Sequence, residues 1–170
     1  TRSCILEASV DISNKIIDEK DIKKILNLDG NAFPNFQILH AFPISYSIDD
    51  IKNIKDPKGM SGKTLSVKLY VIMSGVANLR ALQTAINRCQ LDVAGYVSSV
   101  YGASLSTLFE DEKDFGVTVL DVGSHQTGIC CFLNGSVVFH HFLPYGGSQI
   151  TNDIAKGLLT PKNQAERLKT

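Results

Sequence analysis

Apolar and polar residues alternate over several short stretches in the first half of the chain, and this pattern predicts β-strands. The clearest example is residues 65–72, where apolar residues occupy every second position from Leu65 to Val71, so that one face of a strand would be buried. Similar stretches predict strands at residues 4–10, 36–42, 44–48 and 91–97. Pro43 is expected to interrupt or end the pairing because it lacks a backbone N–H. The polar stretch 49–62 is rich in turn-forming residues and predicts a loop.

Apolar residues also recur at helical spacing in this half. Asp18 can accept hydrogen bonds from the unpaired N–H groups of a helix that starts after it. The apolar side of that helix would be formed by Ile22, Ile25, Leu26 and Leu28. The same spacing predicts helices over residues 79–89 and 99–109. The acidic run 110–114 is expected to be a solvated connector.

The second half of the chain changes to nearly continuous apolar runs separated by turns. Residues 117–122 predict a strand covered on both faces, and two more strands are expected at residues 129–133 and 136–142. Asn134 and Gly135 separate the last two and predict a tight hairpin, because both residue types tolerate a positive φ. One helix is expected to start near Thr151 or Asn152 and to run toward Gly157, and a last one to start near Pro161.

The composition is that of an ordinary globular protein, and it narrows the functional classes. Hydrophobic residues make up 44% and charged residues 20% of the chain, and the formal net charge is zero. No overall field therefore favours nucleic acid or an acidic surface as a partner. No run of about 18 apolar residues predicts a membrane-spanning helix. The four cysteines lack C-x-x-C spacing, so packed, reduced thiols are favoured over zinc or disulfides.

A candidate phosphate site follows the strand predicted at residues 117–122. This strand places Asp121 near its carboxyl end, and the turn that begins at Gly123 would present backbone N–H groups, which can bind phosphate oxygens. A carboxylate at this position can hold Mg²⁺, usually through water. Gly146 and Gly147 precede a predicted helix, whose N terminus would be a second anion site. On pattern alone, Asp-x-Gly after a strand is more often a plain turn.

The ordered set of motifs resembles the FtsA family of bacterial cell-division proteins, within the actin/Hsp70-like superfamily. In the second half the resemblance rests on G-V-x-V-x-D-x-G at 116–123, P-Y-G-G-x-x-I-T-x-D-I-A at 144–155 and A-E-x-x-K at 165–169. In the first half, residues 18–26, H-x-x-P at 40–43 and G-x-S-G at 59–62 resemble the subdomain called 1C, which is inserted in this family. The resemblance covers essentially the whole chain in the right order.

The resemblance implies an α/β fold of the actin-like ATPase (ribonuclease H-like) type with an α+β, SHS2-type inserted subdomain. Residues 1–97 would form the insert, residues 98–113 the last helix of domain 1A with its connector, and residues 114–170 the start of domain 2A. The sequence is expected to be a piece of a longer protein. As such it would hold only part of a nucleotide.

The resemblance also implies ATP and Mg²⁺ as cofactors and assigns roles to particular residues. The implied cofactor-binding residues are Asp121, Gly123, Ser124, Gln126, Gly146, Gly147, Glu166 and Lys169. Asp121 would lie near the metal, and Gly146 and Gly147 beside the phosphates. Glu166 and Lys169 would face the ribose and adenine side of the nucleotide. An ordinary ion pair on a helix surface explains the last two residues equally well.

The turn departs from the family pattern. Ser124, His125 and Gln126 follow Gly123 where family members carry further glycines and a threonine, and Gly128 stands where an acidic residue is common. The larger side chains would narrow the approach to the phosphates, although Ser124 and Gln126 can donate hydrogen bonds. His125 is more consistent with an exposed turn residue than with a catalytic base, and no catalytic residue is expected.

The function implied by the resemblance is that of a scaffold rather than of a turnover enzyme. Family members bind ATP, self-associate into filaments and tether FtsZ and other division proteins to the cytoplasmic face of the inner membrane, through a C-terminal helix that this sequence does not contain. Hydrolysis would be slow and regulatory. Two alternatives remain open: an ATP-hydrolysing enzyme of the Hsp70 or sugar-kinase branch, and a pilus-assembly protein of actin-like fold.

Overall fold

Two antiparallel sheets form the described part of the chain, which in this computed structural model comprises residues 1–13, 15–27 and 33–169. The first sheet has the order β1-β4-β2-β3 and the second the order β5-β6-β7. The strands are β1 Arg2–Asp11, β2 Phe36–Ile48, β3 Ile51–Ile54, β4 Thr64–Gly75, β5 Val117–Val122, β6 Thr127–Leu133 and β7 Ser136–Leu143. The helices are α1 Glu19–Leu26, α2 Val76–Asn87, α3 Ser99–Thr107, α4 Glu110–Phe115, α5 Gly147–Gly157 and α6 Lys162–Lys169.

Strand β4 is the centre of the first sheet and of its core. It pairs along its length with β1, from Arg2 opposite Met73 to Asp11 opposite Thr64, and on its other side with β2. The predicted alternation is confirmed, because Leu65, Val67, Leu69 and Val71 are at most 1% exposed. Helix α1 covers this face through its buried Ile25.

The start of α1 is confirmed by its hydrogen bonds. The Asp18 carboxylate accepts the N–H groups of Lys20 and Asp21 at 2.8 and 3.0 Å. The Asp21 carboxylate accepts the Asp18 N–H at 3.3 Å, which completes a reciprocal cap. Leu28, expected on the apolar side of this helix, lies outside the described residues.

Pro43 interrupts the pairing, as expected, through a shift in the register between Pro43 and Ser45, but strand β2 does not end there. Two other predictions in the first half are wrong. The stretch 49–62 contains β3, which pairs with the end of β2. Residues 91–97 form no strand. Instead, the Tyr96 hydroxyl donates to the Leu79 carbonyl at 3.3 Å, so this segment is attached to α2 by a side-chain hydrogen bond and not by backbone pairing in a sheet.

The acidic run that follows α3 is helical rather than an open connector. The Glu112 carboxylate accepts the Phe109 N–H at 2.9 Å, which pairs one of the N–H groups left free at a helix start. Lys113 is 6% exposed and donates to the Glu110 carboxylate at 2.7 Å. These side-chain bonds stabilise α4 although its sequence is almost entirely charged.

The second sheet confirms the hairpin but not the burial of β5. Asn134 and Gly135 have φ of 52° and 76°, as the two-residue turn between β6 and β7 requires. On β5, however, Leu120 and Val122 are 61% and 68% exposed. Helix α3 covers only the opposite face, through Val100, so β5 is buried on one side.

A second core joins the two sheets. Tyr70 and Ile72 of β4 pack with Val100 of α3 and with Phe132 and Val137 of the second sheet. The turn after β5 lies at the edge of this joined body, where its residues are open to solvent. None of the described helices combines the length and the apolar character needed to cross a membrane.

Truncating the centre of the first core should weaken the fold strongly. Leu69 is fully buried, so Leu69→Ala is expected to lower the free energy of unfolding by about 2–5 kcal/mol through lost contacts and a cavity. Urea denaturation followed by circular dichroism measures this value. Leu82→Ala removes the same atoms from a half-exposed site and should change stability by less than about 1 kcal/mol; equal losses in the two variants would refute this account of the core.

Candidate functional site

The turn after β5 is closed by a single backbone hydrogen bond. The Gly123 N–H donates to the Gln126 carbonyl at 3.0 Å. A Cβ atom at Gly123 would lie 3.0 Å from the same oxygen, so a larger residue would require this carbonyl to move slightly. Asp121 pairs with Gly128 across the start of the hairpin and is half-buried. The turn therefore follows directly from the strand that carries the acidic residue.

The turn leaves several polar groups without partners. Within the described ranges, the peptide N–H groups of Ser124, His125 and Gln126 donate to no protein acceptor, and all three residues are exposed. The Asp121 carboxylate likewise makes no hydrogen bond or ion pair with a described residue. Successive backbone N–H groups in a turn are suited to bind anionic oxygens, and a free carboxylate is suited to a hydrated Mg²⁺.

Helix α5 begins on this turn, four residues before the predicted start. The N–H groups of Gly147 and Ser148 donate to the carbonyls of Gly123 and Ser124 at 3.0 and 2.7 Å. The hydroxyl oxygens of Ser124 and Ser148 are 2.7 Å apart and form a further hydrogen bond. The N terminus of the helix, expected as a second anion site, thus has its first two N–H groups paired with the turn. The unpaired donors are those of the turn itself.

Gly146 permits this close approach. Its φ of −161° is extended backbone that any residue can adopt, so the requirement is one of space. A Cβ atom there would overlap the carbonyl oxygen of Gly123 and would lie 2.7 Å from that of Ser124. Gly147 is less restricted, since the nearest atom to its Cβ position is the Lys169 ammonium nitrogen at 3.6 Å.

Helix α6 is attached to the first turn of α5 by a polar cluster. The Lys169 ammonium donates to the Glu166 carboxylate at 2.6 Å and to the Thr151 hydroxyl at 3.1 Å. The single proton of the Thr151 hydroxyl is donated to the Glu166 carboxylate or to the Gly147 carbonyl, both of which lie within hydrogen-bond distance. The hydrogen bond from Lys169, and then that from Thr151, hold the pKa of Glu166 below its usual value. Glu166 is therefore ionised at neutral pH.

The structure brings most of the predicted site residues together. Asp121, Gly123, Ser124 and Gln126 lie on or beside one turn, Gly146 and Gly147 contact it, and Lys169 reaches the Gly147 carbonyl at 3.5 Å. Glu166 and Lys169 form the ion pair that the sequence left as an alternative, but they also bridge two helices. The residues fit an anionic ligand and a hydrated cation, because unpaired N–H donors lie next to an unpaired carboxylate.

Two members of the arrangement were missed from the sequence. Ser148 bonds to the turn and Thr151 links the two helices, yet Ser148 was expected to precede the helix and Thr151 to lie at its start. The available signal was the position of Thr151 four residues after Gly147, which places its hydroxyl over the first carbonyl of the helix. The partner in α6 could not be identified in this way, because it depends on the packing of the two helices.

Comparisons with known families agree with the two halves of the fold. A family model described as "SHS2 domain inserted in FTSA" matches residues 1–73. A second model, described as "Cell division protein FtsA", matches residues 118–170. The two matches flank the helices α3 and α4 and include the turn after β5.

Curated proteins called "Cell division protein FtsA" are similar to almost the whole chain. The protein of Rhizobium meliloti (strain 1021) is 33% identical over 170 residues, which are 99% of this chain and 38% of that protein. That of Pseudomonas aeruginosa is also 33% identical, with 99% and 41% covered. That of Escherichia coli (strain K12) is 30% identical over 162 residues, with 94% and 39% covered. The chain thus spans about two fifths of the length of these relatives.

One solved structure is similar along the backbone. The structure titled "PilM-PilN type IV pilus biogenesis complex" superposes with a TM-score of 0.59, and the match covers 98% of this chain and 46% of that chain. At 16% identity the likeness concerns the fold alone. Together with the inserted SHS2 sheet, it confirms the α/β, actin-like ATPase-type fold expected from the sequence.

A methyl group at Gly146 should separate the helix from the turn. Gly146→Ala is expected to lower the free energy of unfolding by about 1–3 kcal/mol through overlap with the turn carbonyls, and to increase amide hydrogen exchange at Gly147 and Ser148. Thermal denaturation and exchange measured by NMR test both effects. Gly157→Ala, at a position with no atom within 4 Å of the added carbon, is the matched control. Unchanged exchange in Gly146→Ala would contradict the proposed contact.

Proposed function

Because the chain belongs to the FtsA family of cell division proteins, we propose that it forms part of an actin-like division scaffold and that the turn after β5 binds the phosphates of ATP. The observation that carries this proposal is the set of unpaired N–H groups at Ser124, His125 and Gln126 beside the unpaired Asp121 carboxylate. The three residues that carry these N–H groups are exposed, and Asp121 is half-buried at the end of the strand that leads into the turn.

The proposed site binds the phosphates through main-chain donors. The hydrogen bonds from α5 to the carbonyls of Gly123 and Ser124 fix the peptide planes of the turn. The N–H groups therefore need little reordering to bind an anion. When bound, Mg²⁺ supplies positive charge that neutralises the phosphates. Asp121 would hold that ion through water, because Mg²⁺ keeps most of its hydration shell in such sites.

The polar cluster between the two last helices would form the nucleoside side of the site. Glu166 is ionised and about half exposed, whereas Lys169 is directed to Thr151 and Gly147. A carboxylate in this state can accept hydrogen bonds from ribose hydroxyls. Lys169 would position Glu166 and tie α6 to the helix that contacts the turn.

The side chains of the turn favour weak binding by this chain. The Ser124 hydroxyl is paired with Ser148, and the exposed His125 and Gln126 side chains stand where glycines would leave space for phosphate. Such a site is suited to a regulatory nucleotide rather than to rapid turnover. No side chain of the turn is held as a general base, which favours a scaffold over an ATP-hydrolysing enzyme.

The scaffold role extends the proposal to the whole protein. Residues 1–97 would be the inserted 1C subdomain used for self-association, residues 98–113 the link from domain 1A, and residues 114–170 the start of domain 2A. The two family matches, which lie on either side of that link, support this division. The partners would be FtsZ and other division proteins at the cytoplasmic face of the inner membrane, and not nucleic acid.

Nucleotide binding should be detectable at the turn. Addition of ATP with Mg²⁺ is expected to shift the NMR signals of the Ser124, His125 and Gln126 amides, with a dissociation constant on the order of 1 mM. Asp121→Asn should weaken binding about tenfold when Mg²⁺ is present, because the metal loses its charged partner. Asp111→Asn, at an exposed acidic residue of α4, should leave binding unchanged. Micromolar affinity for ATP with Mg²⁺ would refute the proposal of a weak site. Unchanged affinity in the Asp121→Asn variant would show that Asp121 does not belong to the site.

The division role can be tested with a chimera. Residues 1–170 would replace the matched segment of the E. coli protein, which is 30% identical over 162 residues. Because both segments belong to one family, the chimera is expected to restore septum formation in cells depleted of their own protein. The same chimera carrying Gly146→Ala should restore it less well. If the stable, expressed chimera supported normal ATP binding but no division, the scaffold proposal would fail for this segment.

A further inference from the structure

A buried polar network joins the two sheets at His140 of β7. His140 is 2% exposed, and its Nε2 atom lies 2.6 Å from the Ser98 hydroxyl oxygen at the start of α3. Its backbone N–H donates to the Tyr70 hydroxyl of β4 at 2.7 Å, and its carbonyl accepts the Ser3 hydroxyl of β1 at 3.0 Å. One residue of the second sheet is therefore bonded to two strands of the first sheet and to α3.

His40 of β2 completes the network through the same serine. Its Nε2 atom accepts the Ser98 N–H at 3.1 Å, and its ring contacts that of Tyr101 with centroids 4.7 Å apart. A peptide N–H can only donate, so this bond requires an unprotonated Nε2. Protonation of His40 at Nε2 would break this hydrogen bond, because the Nε2–H and the Ser98 N–H would then be two donors that face each other.

The groups around His140 offer no negative charge to a protonated ring. The titratable groups nearest to it are His40 of β2, Tyr70 of β4 and Cys130, which is opposite it on β6; His141 is next to it in sequence but lies exposed on the other face of β7. No described carboxylate forms an ion pair or hydrogen bond with the buried His140 ring or the partly buried His40 ring. Burial and then the neighbouring His40 lower the pKa of His140 from 6.5 to about 4, and burial also lowers the pKa of His40.

We propose that Ser98, His40 and His140 form an acid-sensitive latch, which strengthens the joint between the two sheets at neutral pH and weakens it as the pH falls. The Ser98 hydroxyl can accept as well as donate, so its bond to His140 survives protonation of that ring. What opposes protonation is the burial of a cation next to a second imidazole. The Ser98 N–H bond to His40, by contrast, is lost directly.

The direction of the pH dependence follows from linkage. The pKa of His140 is lower in the closed state than in the open one, so the latch is fully stabilised above pH 6.5 and weakens as the pH falls toward about 4. With a His140 pKa of 6.5 in the open state and of about 4 in the closed state, the equilibrium constant for opening rises about 25-fold between pH 7.5 and pH 5. Protonation of His40 adds to this effect, since its pKa is shifted in the same direction.

Opening of the latch leaves each sheet with its own stabilising contacts. The core under β4 that contains Leu69 and Val71 includes no residue of the second sheet. The ladder of β5, β6 and β7 is likewise internal to the second sheet. Opening also exposes the apolar core shared by the two sheets, so the open state is a minor one, which protonation makes more populated. This device would regulate the relative position of the insert and the second domain, and it is independent of nucleotide binding.

Two amides report on the latch directly in the whole chain. The Ser98 N–H is bonded to His40 and the His140 N–H to Tyr70, so both are protected from hydrogen exchange only while the sheets are joined. After correction for intrinsic rates, their exchange is expected to rise about 25-fold from pH 7.5 to pH 5, while that of Val71 stays constant. Unchanged exchange at Ser98 and His140, or a rise shared equally by Val71, would overturn the proposal.

Matched histidine variants separate the latch from general acid sensitivity. His140→Gln keeps a polar group that cannot titrate and should reduce the 25-fold rise to a few-fold. His141→Gln, at the exposed neighbouring position, should behave like the unmodified chain. If His140→Gln does not fold, His40→Gln and the NMR titration of the His140 ring in the unmodified chain decide the matter. A ring pKa near 6.5, or a full rise in the His40→Gln, His140→Gln double variant, would refute the latch.

Discussion

Two peptide hydrogen bonds, from Gly147 and Ser148 to the carbonyls of Gly123 and Ser124, determine the shape of the candidate site. They use the acceptors of the turn and leave its N–H groups as the unpaired donors. They also set where α5 begins, and α5 carries Thr151, through which α6 is attached. Because a side chain at residue 146 would block this contact, the whole arrangement depends on one glycine.

Local chemistry accounts for the parts of the fold that could be predicted from the sequence. The cap at Asp18, the Asn134-Gly135 turn and the alternation along β4 each depend on residues within a few positions of one another. The proposed phosphate site could be predicted for the same reason, since an acidic residue near the end of a strand is followed closely by a glycine. Such features need no knowledge of what lies across the fold.

The features that could not be predicted depend on partners that are distant in sequence. Pro43 remains inside β2 because the register with β4 shifts beside it, and α5 starts early because its first N–H groups find acceptors on another turn. The exposure of Leu120 and Val122 reflects which face of β5 is covered by α3. His140 in an apolar strand was a visible anomaly, but its partners Ser98 and Tyr70 become neighbours only after the sheets join.

The order β1-β4-β2-β3 also has a consequence for synthesis on the ribosome. Strand β1 leaves the exit tunnel before β4, yet its ten-residue register is with β4, from Asp11 opposite Thr64 to Arg2 opposite Met73. The nascent chain must therefore carry an unpaired, partly apolar strand until more than sixty further residues have emerged. The β5-β6-β7 meander has only adjacent pairings and is free of this delay. Co-translational folding would thus be limited by the wait for β4.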